Sequence, residues 1–115
     1  DKGRMHLENF QALIEAHYRE QPSIEQLAEL IGVSSAHLNL LCRQLAGHSA
    51  LQLLHERLML EAKRQLTYTN MTIGEVSDSL GFSEPAYFTR FFKRNTTLSP
   101  RDFRLRQTAV NESTK

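Results

Sequence analysis

The sequence has little cysteine, proline and glycine, and it has no long apolar run. Its single cysteine, Cys42, has no partner for an intrachain disulfide, which excludes a secreted disulfide scaffold. Three prolines and five glycines in 115 residues exclude a fibrous or low-complexity chain. No apolar stretch approaches the roughly 18 residues that cross a bilayer, and the first residues do not resemble a secretory signal. These absences predict a compact cytoplasmic protein without a membrane segment.

The chain also lacks the residue patterns of catalysis and of metal binding. Its five histidines never combine with Cys42 or with a carboxylate at the spacing of a zinc site. No serine-histidine-acid set, glycine-rich phosphate loop or paired carboxylate motif is present. Cys42 falls within an apolar helical pattern, so we expect a buried structural thiol there. We therefore expect no enzyme activity, no metal and no cofactor.

The charges are unevenly placed, although the net charge of the whole chain is only +1. Residues 1–30 contain six acidic and three basic side chains. Residues 87–106 contain six basic side chains opposed by Asp102 alone, a net charge of +5. This segment predicts a local basic surface that suits an acidic partner and that the overall charge conceals.

Apolar spacing and capping residues predict an all-α fold of seven helices with no strand. The expected helices span about 5–20, 24–31, 35–45, 50–67, 73–80, 84–95 and 100–107. Capping boxes are expected at Ser23 with Gln26, Ser49 with Gln52 and Thr72 with Glu75. Ser83 is the expected N-cap of the sixth helix, with Pro85 in its first turn. The polar residues 108–115 are predicted to be a disordered tail.

One sequence pattern occurs twice, first as SIEQLAELIGVSSAHLNLLCR at 23–43 and then as TIGEVSDSLGFSEPAYFTRFFKR at 72–94. The second copy has one extra residue after its glycine, and the aligned pairs are Ile24 with Ile73, Ala28 with Ser77, Gly32 with Gly81, Leu38 with Phe88 and Cys42 with Phe92. A small residue where two helices cross, followed by glycine at the turn, is typical of a helix-turn-helix. Such a unit places its second helix, the recognition helix, in the DNA major groove.

The predicted organisation is a first helix with a helix-turn-helix unit over 1–47, a linker helix over 48–68, and a second unit with a last helix over 69–107. A helix of the length expected for the linker spans on the order of 27 Å. One turn of DNA is about 34 Å. A rigid linker of this size is expected to hold two recognition helices on one face of a duplex.

Three stretches together resemble the DNA-binding domain of the AraC/XylS family of bacterial transcription regulators. LGFSEPAYFTRFFKRNTTLSPRDFR at 80–104 resembles its C-terminal signature, HERLMLEAKRQL at 55–66 its linker helix, and SIEQLAELIGVSSAHLNLLCRQLAGHS at 23–49 its first unit. The resemblance implies binding of double-stranded promoter DNA without catalysis, with RNA polymerase as a further partner. It also implies a separate domain that senses a small-molecule effector or mediates dimerisation. A first residue of Asp1 rather than methionine fits a domain cut from a longer chain.

Helical spacing predicts which side chains of the first recognition helix face outward, around inward Leu38, Leu41 and Cys42. The outward set is Ser35, Ala36, Asn39, Leu40 and Arg43. Asn39 can pair with adenine N6 and N7, Leu40 can contact a thymine methyl, and Arg43 can reach a phosphate. This outward set carries less charge than the outward side chains of the second recognition helix. We therefore expect it to add less affinity or to read DNA partly through apolar contact.

The second recognition helix is expected to present Ala86, Thr89, Arg90 and Lys93 opposite its inward phenylalanines. Arg90 is the leading candidate, and it can pair with guanine or with a phosphate. Glu84 and Pro85 begin the helix. Glu84 can accept a hydrogen bond from cytosine, but the favoured interpretation is that its negative charge interacts with the positive end of the helix dipole. Tyr87 can reach a phosphate or pack its ring. Lys93, Arg94, Arg101 and Arg104 are expected to meet phosphates, although Arg104 can instead brace the fold.

Two residues depart from the family pattern. Thr97 stands where the family commonly has glycine, and an ordinary residue there must avoid or tolerate a positive φ. Leu40 stands where a polar or basic side chain often reaches the bases. The competing hypothesis is a helical protein-interaction module in which the same outward arcs bind another protein.

Overall fold

The computed structural model describes residues 1–113, and all regular secondary structure in this range is helical. A short 3-10 turn, Tyr18–Glu20, follows the first of seven α-helices, which are α1 Lys2–His17, α2 Ile24–Ile31, α3 Ser35–Ala46, α4 Ala50–Tyr68, α5 Ile73–Ser79, α6 Pro85–Thr96 and α7 Pro100–Ser113. The predicted all-α fold of seven helices is confirmed. No helix in this described part is long and apolar enough to span a membrane.

The chain forms two compact units, which divide within α4. The first unit consists of residues 1–58, and the second begins at Met59. Each unit contains one helix-turn-helix pair: α2 with α3 in the first unit, and α5 with α6 in the second.

Capping boxes begin three of the helices, as the sequence predicts. At α2, the Ser23 hydroxyl accepts from the Gln26 backbone N–H at 3.1 Å, while the Gln26 side chain accepts from the Ser23 N–H at 2.9 Å. Ser49 with Gln52 and Thr72 with Glu75 repeat this exchange. Each box gives partners to backbone donors that have none within the helix.

The start of α6 differs from the prediction that Ser83 is its N-cap. Glu84 occupies the N-cap position instead, with an extended backbone (φ −145°, ψ 144°) and no capping hydrogen bond from its side chain. The reason is Pro85, which follows directly and forms the first residue of the helix. The proline ring excludes the preceding residue from the helical region, so the helix begins one residue later than expected.

The end of α7 also differs from the prediction. The helix continues to Ser113, beyond the expected end at Gln107, so the predicted disorder is wrong for residues 108–113. This segment contains neither glycine nor proline, and polarity alone does not end a helix. The remaining two residues of the predicted tail, 114 and 115, lie outside the described residues.

Buried side chains on facing helices hold the first unit together. Phe10 of α1, Leu27 of α2 and Leu38 and Cys42 of α3 are almost completely buried. Gly32 makes the turn between α2 and α3 at φ 89°, and its N–H donates to Ala28 O at 2.9 Å. Because this left-handed conformation favours glycine, the turn fixes the direction in which α3 leaves α2.

The second unit uses an aromatic cluster for the same purpose. The ring of Phe82 lies 5.4 Å from the rings of both Phe88 and Phe91, measured between centroids. Phe92 contacts Phe103 of α7 edge to face at 5.2 Å. Such edge and tilted arrangements favour aromatic pairs beyond their burial. The cluster fixes one side of α6 against the unit and leaves the opposite side to solvent.

Candidate nucleic-acid interface

The exposed side of α3 forms the first recognition surface, which we define as Ala36, Leu40 and Arg43. These three side chains are exposed, whereas Leu38, Leu41 and Cys42 of the same helix are buried. Leu40 is 50% exposed, which is a large apolar area for a residue at the centre of a helix. Ser35 lies half-buried at the start of the helix.

Asn39 is placed differently from the outward position that the sequence predicts. It is half-buried, and its Oδ1 accepts a hydrogen bond of 3.0 Å from the backbone N–H of Ala50. Ala50 is the first residue of α4 and is fully buried, so its N–H has no partner within the helix. A buried donor requires a partner. Asn39 therefore ties the recognition helix to the start of α4.

The exposed side of α6 forms the second recognition surface. Its members are all exposed and are Glu84, Pro85, Ala86, Tyr87, Arg90, Lys93 and Arg94. Thr89 is half-buried beside them. The buried rings of Phe88, Phe91 and Phe92 fix the helix from its other side. The surface thus combines three cations with a rigid support.

Arg90 and Tyr87 form a pair on this surface. The guanidinium carbon of Arg90 lies 5.0 Å from the centroid of the Tyr87 ring, within the range of a cation–π contact. Arg90 forms no ion pair with any carboxylate in residues 1–113. Tyr87 is 47% exposed, and its ring contacts the arginine at the surface of the unit.

Arg104 braces the second unit, which decides between the two roles left open by the sequence. Its Nε donates to Leu66 O at 3.0 Å, and its Nη1 donates to Met71 O at 2.6 Å. Leu66 O belongs to the last turn of α4, where carbonyls lack partners within the helix. The side chain joins the end of α4 to the loop before α5. Arg101 remains exposed and available to solvent.

A polar cluster at α4 and α5 was not found from the sequence. Glu61 is buried, with only 4% exposure, and Arg64 donates to both of its carboxylate oxygens at 2.8 and 2.7 Å. Gln65 also donates to Glu61 and accepts from the Ser79 hydroxyl at 2.9 Å. Arg64 and Gln65 follow Glu61 by three and four residues, and this spacing in the sequence could have predicted that their side chains meet on one face of the helix. The cluster joins α4 to α5 within the second unit.

The described residues show no candidate for a metal centre. No group of three or more histidine, cysteine, aspartate or glutamate side chains within residues 1–113 is arranged to hold an ion. Cys42 is a buried free thiol, and burial raises its pKa. A protonated, buried thiol is a packing group, which agrees with its expected structural role.

Two helix-turn-helix units, each with its second helix partly exposed, define the class of this protein as a helix-turn-helix DNA-binding domain. A family model described as a helix-turn-helix domain matches residues 27–106. The chain belongs to this family, the AraC-type helix-turn-helix domains of transcription regulators.

Known relatives agree with this membership. An uncharacterized HTH-type transcriptional regulator of Staphylococcus aureus (strain MSSA476) is 34% identical over 100 residues, which are 87% of this chain and 13% of the relative. The C-terminal domain of AraT, a response regulator from Geobacillus stearothermophilus, has a TM-score of 0.81 at 27% identity, covering 86% of this chain and 83% of that one. The DNA-binding domain of AdpA, solved with a target DNA, has a TM-score of 0.76 at 29% identity, covering 87% and 94%.

Proposed function

We propose that this chain is the sequence-specific DNA-binding domain of a bacterial transcription regulator, and that α3 and α6 enter successive major-groove segments of double-stranded DNA. The observation that carries the proposal is the second recognition surface. Three buried phenylalanines support α6 while Arg90, Lys93 and Arg94 stay exposed on it. The solved complex of the AdpA domain with its target DNA supports the same role for this chain.

The side chains divide into those that choose a sequence and those that add affinity. Arg90 lies in the middle of α6, where a guanidinium can pair with guanine O6 and N7. Lys93, Arg94 and Arg101 are exposed cations that suit phosphates, which position a protein without reading sequence. Arg43 has the same role on α3. Glu84 stands at the N-cap of α6, where a negative charge is favoured by the helix dipole.

The proposal extends to the longer protein in which such a domain functions. The matched regulator from Staphylococcus aureus is far longer than this chain, which spans 13% of it. A separate domain that senses a small molecule, and a contact with RNA polymerase, are parts of this proposal. The proposal also includes a cytoplasmic location and the absence of catalysis, since the family consists of DNA-binding domains.

A protein-interaction module is the competing function, and one observation in the first unit favours it. Leu30 is 68% exposed on α2 and lines two surface cavities of about 710 and about 340 Å³. Glu20 and Glu29 line the larger one. Carboxylates repel phosphates, so this face suits a protein partner rather than DNA.

The salt dependence of DNA binding separates the two functions. We expect fluorescence anisotropy titrations with genomic duplexes to give log affinities that fall with log salt. A slope of about −3 to −4 corresponds to phosphate contacts by Arg43, Lys93, Arg94 and Arg101, at roughly −0.9 for each contact. A slope near zero, or no binding, would contradict DNA binding and favour the interaction module.

A further inference from the structure

The first recognition surface is apolar at its centre. Ala36 and Leu40 are four residues apart on α3, so their side chains lie next to each other on one face of the helix. Both are exposed, and Leu40 leaves 50% of its surface uncovered. In the repeat, the residues that correspond to them are Ala86 and Arg90. The first unit therefore presents leucine where the second presents a guanidinium.

The amide next to Leu40 is already engaged within the fold. Pairing with adenine requires Asn39 to accept from N6 through Oδ1 and to donate to N7 through its amino group. Oδ1 instead accepts from the Ala50 N–H at 3.0 Å. Turning it toward a base would leave a buried donor unsatisfied. Asn39 therefore offers no free amide to a base, and the two exposed side chains that we place at the centre of this surface, Ala36 and Leu40, are apolar.

We infer that α3 reads thymine through its 5-methyl group, with Leu40 as the main contact and Ala36 beside it. Among the four bases, thymine alone presents a methyl group in the major groove, and apolar side chains recognise it. This inference rests on the proposed function and specifies its ligand. The DNA segment under α3 is selected for thymine by apolar contact, and the segment under α6 by hydrogen bonds from Arg90.

The test begins by selecting bound duplexes from a random pool with the parent chain and with Leu40→Ala and Arg90→Ala. The positions whose preference each variant loses identify the segment under each recognition helix. Thymines in the α3 segment are then replaced one at a time by deoxyuridine, which deletes the methyl group and keeps every hydrogen-bonding group. We expect about fourfold weaker binding for each contacted methyl, the fold-change that corresponds to about 0.8 kcal/mol for one buried methyl-sized group.

The variants provide the controls. Leu40→Ala is expected to bind the thymine and deoxyuridine duplexes almost equally, because the contact with the methyl group has been removed. Leu51→Ala is the matched control, since Leu51 is 49% exposed but belongs to α4. Leu51→Ala and Arg90→Ala should both keep the full effect of deoxyuridine in the α3 segment.

Three outcomes would overturn the inference. The selected α3 segment contains no thymine, or the parent chain binds the thymine and deoxyuridine duplexes equally well. In the third outcome, Leu40→Ala loses the same affinity on the thymine duplex as on the deoxyuridine duplex. Each leaves the proposed function intact if sequence-specific, salt-dependent binding persists. Failure to select any sequence, together with a salt slope near zero, contradicts the proposed function itself. The two failures are therefore distinguishable.

Discussion

At the scale of single residues, the contact between Arg90 and Tyr87 restricts a flexible cation that the proposed function places at the DNA. An exposed arginine loses side-chain freedom when it binds, and that loss opposes affinity. The Tyr87 ring, 5.0 Å from the Arg90 guanidinium carbon, restricts the arginine before any contact with DNA. Both residues belong to α6, three positions apart, so the helix itself brings them together.

Replacement of Arg90 by alanine should weaken binding to a selected operator by about 1–3 kcal/mol, because one bidentate contact with a base is lost. Arg90→Lys should recover little of this loss, since an ammonium cannot form the planar fork. Anisotropy titration at fixed salt measures both. Unchanged affinity of Arg90→Ala would remove Arg90 from the interface, and full recovery by lysine would indicate a phosphate contact.

At the scale of helices, the two units satisfy the same structural need in different ways. The recognition helix of the first unit supplies Asn39 to the buried N–H of Ala50, at the start of α4. The corresponding residues of the second unit are Thr89 and Pro100, and proline has no N–H to satisfy. Pro100 begins α7 and is almost fully buried, as Ala50 is at the start of α4. The repeat thus preserves a satisfied helix start with different residues.

Replacement of Asn39 by alanine should lower the free energy of unfolding by about 1–3 kcal/mol, the usual cost of leaving a buried donor unpaired. In an Ala50→Pro background the same replacement should cost much less, because the donor is absent and proline is tolerated at the first helical position. Urea unfolding of the parent chain, Asn39→Ala, Ala50→Pro and the double variant gives this comparison as a double-mutant cycle. An equal cost in both backgrounds would show that Asn39 stabilises the fold by some other contact.

The ends of the two recognition helices differ by one side chain. Gly47 ends α3 at φ 75° and Thr97 ends α6 at φ 70°, both in the left-handed region. The turn geometry expected of a glycine is therefore kept at Thr97. A residue with a Cβ is disfavoured there by roughly 1–2 kcal/mol.

Replacement of Thr97 by glycine should raise the free energy of unfolding by up to about 1 kcal/mol. The relief of backbone strain exceeds the added flexibility of the unfolded chain, about 0.4–1 kcal/mol for glycine. The reverse change, Gly47→Thr, should destabilise the protein. Urea unfolding measures both variants, and a lower stability of Thr97→Gly would mean that the threonine side chain makes a contact worth more than the strain.

At the scale of the whole molecule, the distribution of charge matters more than its sum. The net charge is only +1, which is too small to attract a polyanion strongly. The cations of the second unit are nevertheless concentrated on α6 and α7, whereas residues 1–30 contain six acidic and only three basic side chains. A local excess of positive charge of this kind attracts a polyanion to the surface that carries it.

Replacement of Lys93 by alanine should weaken binding to selected and random duplexes alike and should reduce the salt slope by about 1, because one phosphate contact is lost. Lys2→Ala is the matched control, since Lys2 is an exposed lysine at the start of α1. This control should change neither quantity appreciably. A loss by Lys93→Ala that is confined to the selected duplex would contradict a phosphate role.

The helices and their order follow from local chemistry, which is why the sequence predicts them. Capping boxes such as Ser23 with Gln26 join residues three positions apart, and apolar spacing alone identifies the inward side of α6. The first residue of α6 was predicted wrongly because the constraint from Pro85 acts on its neighbour. The C-terminal end of α7, residues 108–113, was predicted wrongly because a polar segment was taken as the end of the helix.

The sequence by itself determined the seven helices, the repeated helix-turn-helix pattern and the exposed position of Leu40 and Arg90, because each depends on residues within a few positions of one another. Only the tertiary structure decided the roles of Asn39, Arg104 and Glu61. Asn39 bonds a residue 11 positions away, and Arg104 bonds one 38 positions away. The burial of Glu61 depends on packing around α4. Which polar group meets which buried partner is fixed by packing in three dimensions, and helical periodicity carries no information about it.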